Sequence, residues 1–330
     1  MAGYGGFTYN KIQLGREVTP GTSVVATHLW RGPMAMLEDD RQRKIAEEQI
    51  GILVPAERSY TTMLLGRMAM PSTELTFEQI CHLLEASIKT ATPSGAGPYV
   101  RSYPFPITST PNTIKYYTIE AGNTQVPNDN HEMEYSFVDE FTIEGKFGES
   151  FMMGANWIGR QITPAPLTAG IAIPVVEEAL VPKAKLYIDA TGGTIGTTQK
   201  VGVFMGVKLR VRSGIVYVPV GDGNLYFYAT KFTAPKLDFS ISFELEGTNN
   251  VLVAERAIYV ANAVRLFNIV IDGSSSARKI DIKWAGKYDK VGGYENQEGN
   301  TVVTLDGHGV LSSADSIFAQ IDVTNSVATL

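Results

Sequence analysis

Apolar and polar residues alternate along most of this chain, the period of a strand with one face on a core and the other in solvent. The alternation predicts strands over residues 115–120, 137–146, 207–211, 237–245, 265–271 and 279–284. In Lys279-Ile280-Asp281-Ile282-Lys283-Trp284 every second position is apolar. A helical period breaks in once with force: Phe77, Ile80, Leu84 and Ile88 recur on one face. Thr76 with Gln79 forms a capping-box pattern, Leu75 with Ile80 a hydrophobic staple, and Pro93 with Gly95 stops the element. A weaker helix is expected over 251–263, capped by Asn249 or Asn250.

The same order of features occurs twice. Gly15-Arg16-Glu17-Val18-Thr19-Pro20-Gly21-Thr22 is echoed by Ala190-Thr191-Gly192-Gly193-Thr194-Ile195-Gly196-Thr197, and each half then places one helix. After each helix comes a strand ending in an acid and a glycine, Tyr117-Thr118-Ile119-Glu120-Ala121-Gly122 and Asn268-Ile269-Val270-Ile271-Asp272-Gly273. Another alternating strand follows each, Phe141 to Lys146 and Ile280 to Lys283. The pattern predicts a mainly β protein of two tandem domains, 1–165 and 166–330, each with one flanking helix. The junction falls near Pro164-Ala165-Pro166, with the stretch to Pro182 an equally good linker.

Two segments do not fit a compact sandwich. Residues 37–60 hold Glu38-Asp39-Asp40-Arg41-Gln42-Arg43-Lys44-Ile45-Ala46-Glu47-Glu48. Excursions beyond about 12–15 residues are functional or disordered as a rule. A solvated surface loop is one reading. The other is an arm that reaches a neighbouring subunit, its mixed charges fixing register against a complementary surface. Residues 92–112, rich in Pro, Ser and Gly, read as a loop near a domain edge.

Composition narrows the function classes. The 330 residues suit two domains of about 150, and a net charge of −6 argues against a protein that grips nucleic acid. Cys81 is the single cysteine and lies on the apolar face of the first helix, so it reads as a small buried hydrophobe and no disulfide is expected. The start of the chain lacks the pattern of a secretory signal, and no run reaches the ~18 apolar residues of a membrane helix. These features predict synthesis in a cytosol and no membrane association.

No constellation for chemistry stands out. His28, His82, His131 and His308 are scattered, and none sits in a metal-ligand spacing. Asp306-Gly307-His308-Gly309 has a turn composition, and Gly221-Asp222-Gly223-Asn224 reads as a hairpin turn without the further acids of a calcium loop. Glu177-Glu178 and Asp39-Asp40 lack the apolar surroundings that would split their pKa values. The expectation is no catalytic, cofactor-binding or metal-ligating residue.

Taken in order, Leu14-Gly15-Arg16-Glu17-x-Thr19-x-Gly21-Thr22, His28-Leu29-Trp30-Arg31 and Leu75-Thr76-Phe77-Glu78-Gln79-Ile80 resemble tail tube proteins of long, non-contractile bacteriophage tails (the siphovirus type). Tyr117 to Glu120, Phe137 to Ile143 and Asp322-Val323-Thr324-Asn325-Ser326-Val327-Ala328 extend the resemblance over roughly residues 9–329. No single motif carries it; the succession does.

The resemblance implies two packed sheets with a flanking helix, and rings whose inner wall is a closed β-barrel. It implies rings stacked into a hollow tube in the virion, built in the host bacterial cytoplasm. Tape-measure protein would fill the tube during assembly, tail terminator and tip proteins would meet its ends, and DNA would pass without specific binding. Relatives with one tube domain form six-subunit rings, so a tandem repeat favours three-subunit rings with pseudo-sixfold symmetry over hexamers. In that setting Glu38, Asp39, Asp40, Arg41, Arg43, Lys44, Glu47 and Glu48 are expected to form a ring-stacking arm. The competing expectation is another virion β-protein, a capsid decoration or a tail-terminator-like module.

Overall fold

Strand-forming alternation dominates the chain, and the computed structural model is accordingly mainly β, with two short α-helices. It describes residues 6–54, 57–245, 251–297 and 299–330. The expected helix caps Asn249 and Asn250, and Pro55 and Ala56 of the arm, lie outside the described residues.

The first half runs β1 (Asn10–Arg16), β2 (His28–Leu29), β3 (Glu38–Ile45), β4 (Ser59–Glu74), α1 (Ile80–Ser87), β5 (Tyr99–Pro104), β6 (Tyr117–Asn123), β7 (His131–Lys146), β8 (Met152–Gly159) and β9 (Ile162–Pro164). The second runs β10 (Ala184–Ala190), β11 (Phe204–Arg212), β12 (Ile215–Val218), β13 (Ala229–Phe232), β14 (Lys236–Glu244), α2 (Val251–Val260), β15 (Arg265–Asp272), β16 (Lys279–Val291), β17 (Glu295–Gln297), β18 (Asn300–Gly309) and β19 (Ala319–Asn325). All six strands expected from alternation are present, most of them longer at one end than the pattern indicated.

Both halves use one scheme of antiparallel pairing. In the first, β1 pairs β6, β6 pairs the start of β7, and β9 lies on that strand's other side. The end of β7 pairs β8, β8 pairs β4, and β4 pairs β3. In the second half β10, β15, the start of β16 and β19 repeat the first set. The end of β16 with β18, β14 and β11 repeats the other. The long strands β7 and β16 each take part in both sets of pairings. Tyr135, at φ 53°, marks the bend in β7.

The repeated turns share a mechanism too. Glu17 accepts a hydrogen bond from the Gly21 amide at 2.7 Å, and Asp189 accepts bonds from the Gly196, Thr197 and Thr198 amides at 2.8, 3.1 and 2.8 Å. Gly21 and Gly196 both take positive φ, 78° and 86°, which a side chain would strain.

Each helix buries one glutamate against the sheets. Glu85 of α1 meets Arg16 at 2.8 Å, and Glu255 of α2 binds Arg265 at 2.7 and 3.1 Å and accepts from the Tyr288 hydroxyl at 3.1 Å. Buried carboxylates of this kind need such partners, because an unpaired one would cost several kcal/mol. At the start of α1 half of the expected capping box forms: the Gln79 amide donates to Thr76 Oγ1 at 3.2 Å.

The halves are sewn together. β7 pairs β11 over Glu140–Lys146, and one apolar core runs through both halves. The segment 92–112, expected to be a loop, contains β5, which crosses over to pair β19. Within it Arg101 is buried and donates to Asn325 Oδ1 at 3.2 Å and to the Ala328 carbonyl at 3.0 Å. Arg278 reaches back to Glu78 at 2.8 Å.

His308, expected in a turn, lies in β18. The neighbouring Gly307 is there for close approach, since a Cβ would collide with the Phe239 ring and the Lys287 carbonyl. That ring anchors an aromatic cluster with Phe267 (4.9 Å), Trp284 (5.6 Å) and Tyr288 (6.0 Å). Truncation of Phe239 to Ala is expected to cost about 3–5 kcal/mol. Urea unfolding checks this as a lower midpoint at an unchanged slope.

Candidate assembly surface

The charge-dense run at residues 38–48 is a β-hairpin arm. Glu38, Asp39, Asp40, Arg41, Arg43 and Lys44 lie on β3, while Glu47 and Glu48 lie beyond it. β3 keeps its side chains in solvent, apart from half-buried Asp40. Its far part, Arg43 to Ile45, is held by the first residues of β4, and the Ala46 amide still bonds the Arg58 carbonyl at 3.0 Å. The base of the arm joins the body where β4 turns to β8, from Gly66 onward.

The predicted residues do not gather at one point. Asp40 pairs with Arg67 at the base (3.0 Å), Asp39 with Arg41 (2.7 Å), and Glu48 with Arg58 far out (2.9 Å). Exposed pairs of this kind contribute little stability singly. Sequence reading passed over the apolar side chains between them: Ile45, Ile50, Ile52, Leu53 and Val54 stand in solvent, Leu53 fully. Exposed aliphatics grouped in this way are unusual on a solvated hairpin and have the composition of a contact surface.

The second feature is a pair of bare sheet edges. The strands β3, β4, β8, β7, β11, β14, β18 and β16 follow one another in one continuous ladder. Among the described residues, β3 pairs with β4 alone, so its outer edge has no strand partner over Glu38–Ile45. The end of β16, from Lys287 to Val291, pairs β18 alone.

Between these ends lies the one junction where the halves share this ladder, β7 against β11. Glu144 meets Lys208 at 2.8 Å, and Glu140 takes both Arg210 and Arg212, at 2.9 and 3.0 Å. Burial alone would raise the Glu140 carboxyl, but hydrogen bonds and charge from the two arginines hold it below the ordinary glutamate range. None of these residues was singled out from sequence. The only local signal was a charged residue after Asp139, and strand partners decide its meaning.

Several titratable groups are buried inside the fold. His82 is buried on α1, with Nδ1 3.2 Å from the Tyr117 hydroxyl. Its ring lies 4.8 Å from that of His28, a neighbour the sequence did not indicate. Burial lowers the pKa of both imidazoles. Cys81 is fully buried, and its thiol is pushed up to about 11. Among the described residues no group of three or more His, Cys, Asp or Glu is placed to hold a metal ion, and no helix is long and apolar enough to cross a membrane.

No family model matches the chain, and no curated protein matches it in sequence.

The Glu140 pairs give a pH dependence with a fixed sign. A folded-state pKa below the unfolded one stabilises fully above the unfolded value, about 4.3. The contribution is lost as pH falls through the folded value. Glu140→Gln is therefore expected to cost about 1 kcal/mol at pH 7, discounted for the solvent around both arginines. Urea titrations should show that difference shrinking towards zero at pH 3, and a constant difference would assign it to something other than charge.

Proposed function

We propose that the chain is the subunit of a self-assembling hollow tube, the tail tube of a long, non-contractile bacteriophage tail, and that its role in the virion is structural. In this reading the subunit is two tandem copies of one tube-forming β-domain, residues 1–165 and 166–330.

One observation carries the proposal. β7 receives β11 at its edge, whereas β16, built on the same pairings as β7, has a bare edge in the same place. The counterpart of β11 in the first half is β3, and it too is bare. A second copy that adds its β3 to β16 repeats between chains the seam already present within one. Addition of this head-to-tail kind closes a ring when the rotation per domain is regular, and closure removes the edges that invite uncontrolled pairing. Three copies, with internal and external seams alternating, give a ring of six similar domains.

The face of the ladder turned from the core would then line the lumen. It carries Glu140, Thr142 and Glu144 on β7, Lys208, Arg210 and Arg212 on β11, and Ser240 and Ser242 on β14. Its cations at the seam are ion-paired. A wall of matched charges and small hydroxyls offers phosphates no uncompensated cluster to hold, which suits DNA that slides through and a tape-measure protein that leaves. The arm, with its aliphatic tip, suits the ring-to-ring contact, and the ends of the tube would meet terminator and tip proteins.

Negative-stain electron microscopy of the purified chain tests the reading: tubes of uniform diameter are expected, and monomers or short closed oligomers at every concentration would overturn it. Replacement of residues 47–57 by Asn-Gly, a tight hairpin turn that keeps Ala46 opposite Arg58, is expected to leave the thermal transition within a few degrees of the parent. Such a variant should form rings but no long tubes, and unimpaired tube growth would remove the arm from the stacking contact.

A further inference from the structure

The two seams of the proposed ring, one inside the chain and one between chains, carry inverted charges. Positions correspond through the shared ladder. β7 has a bulge between Val138 and Glu140, and β16 has one between Tyr288 and Lys290, so Asp139 matches Asp289 and Glu140 matches Lys290. Across from them, Ile158 pairs Phe137 and Arg67, while His308 pairs Lys287 and Asp238. Arg67 therefore matches Asp238. One strand further out, Arg67 pairs Glu38 and Asp238 pairs Arg210, and beside them Leu65 pairs Asp40 and Lys236 pairs Arg212.

Four charged positions thus change sign between the halves. Inside the chain Glu140 sits between Arg210 and Arg212. At the bare edges its counterpart is Lys290, and the counterparts of the two arginines are Glu38 and Asp40. Arg67 replaces Asp238 behind them and already holds Asp40 at 3.0 Å. Two neighbouring charges at these edges are engaged locally, Asp289 with His308 at 2.7 Å and Arg41 with Asp39 at 2.7 Å. Lys290 is exposed and, among the described residues, makes no ion pair.

We propose that this inversion is an address that governs how a second copy of the chain docks: Lys290 of one copy is received between Glu38 and Asp40 of the next. The proposal rests on the tube reading. It answers a hazard of tandem repeats, since two edges with one backbone pattern can be mistaken for each other. If β16 met β11, Lys290 would face Arg210 and Arg212. If β7 met β3, Glu140 would face Glu38 and Asp40. Like charges set opposite in a sheet destabilise the pairing, so both wrong seams are disfavoured and both right ones favoured. Glu38 and Asp40 then act in ring closure, while the arm beyond Arg43 remains for stacking.

Charge reversal tests the address. Lys290→Glu, and separately Glu38→Lys with Asp40→Lys, should keep the far-ultraviolet circular dichroism of the parent and a thermal transition within a few degrees of it, since the Asp40–Arg67 pair lost in the second is largely solvated. Each is expected to raise the concentration needed for assembly by roughly tenfold or more, read by light scattering and electron microscopy. The triple variant K290E/E38K/D40K is expected to recover parental rings. Single reversals that assemble like the parent would overturn the address, and so would a folded triple variant that stays unassembled. Both results leave the tube reading standing if the parent chain forms tubes. A parent chain that forms no ring at any concentration would remove both together.

Discussion

A β-sheet edge is a row of unsatisfied donors and acceptors, and this fold is organised by where its edges go. Inside the chain the answer is the pairing of β7 with β11, which merges the inner ladders of the two halves. β5 does the same service elsewhere, leaving the first half to cover β19. Among the described residues this ladder is left bare at its two ends, β3 and the end of β16, strands in equivalent places. Two matching bare edges at the ends of one ladder suit the proposed addition of copies in a line or a ring.

Beneath the shared pairing, the halves reach the same scheme of strands by different residues. A glutamate, Glu17, ties one turn through a single glycine amide, and an aspartate, Asp189, ties the other through three amides. Glu85 and Glu255 are both buried on helices, but one faces Arg16 and Tyr117, and the other Arg265 and Tyr288. In each case the requirement is a carboxylate held by donors from the sheets or the turn, and residues that meet it are interchangeable. Identity between the halves is low for that reason, while the order of elements persists.

That distinction explains what could be read from the sequence. The alternating strands and the period of Phe77, Ile80, Leu84 and Ile88 were legible because each is a local pattern set by one core-facing side. The repeat was legible as an order. β5 was not, since Tyr99–Pro104 owes its extended form to a strand more than two hundred residues away, and its central Arg101 looks like a surface residue until Asn325 is placed beside it. Gly307 and Gly309 imitated a turn because tight packing and chain reversal call for the same residue. The arm was visible as a segment, whereas its hairpin pairing and the matching of Lys290 with Glu38 and Asp40 depend on partners across a sheet.

One difference between the halves completes the picture. In each half a hairpin leaves the ladder between equivalent strands, β3 to β4 in the first and β11 to β14 in the second. The second hairpin, with β12 and β13, folds back: Ile215 and Phe227 seal a small core over Leu65, Phe137 and Ile158. The Leu64 amide donates to the Leu225 carbonyl at 2.8 Å, and the Arg160 guanidinium lies 4.5 Å from the Tyr135 ring. The positions that match Leu65, Phe137 and Ile158 in the second half are Lys236, Lys287 and His308, so the equivalent seat there is polar. An aliphatic hairpin gains nothing by lying on polar side chains that would lose their water. Three exchanges of an apolar for a polar residue thus separate a hairpin that closes over its neighbour from one that stands free. In a ring of three such chains, six domains would present three arms.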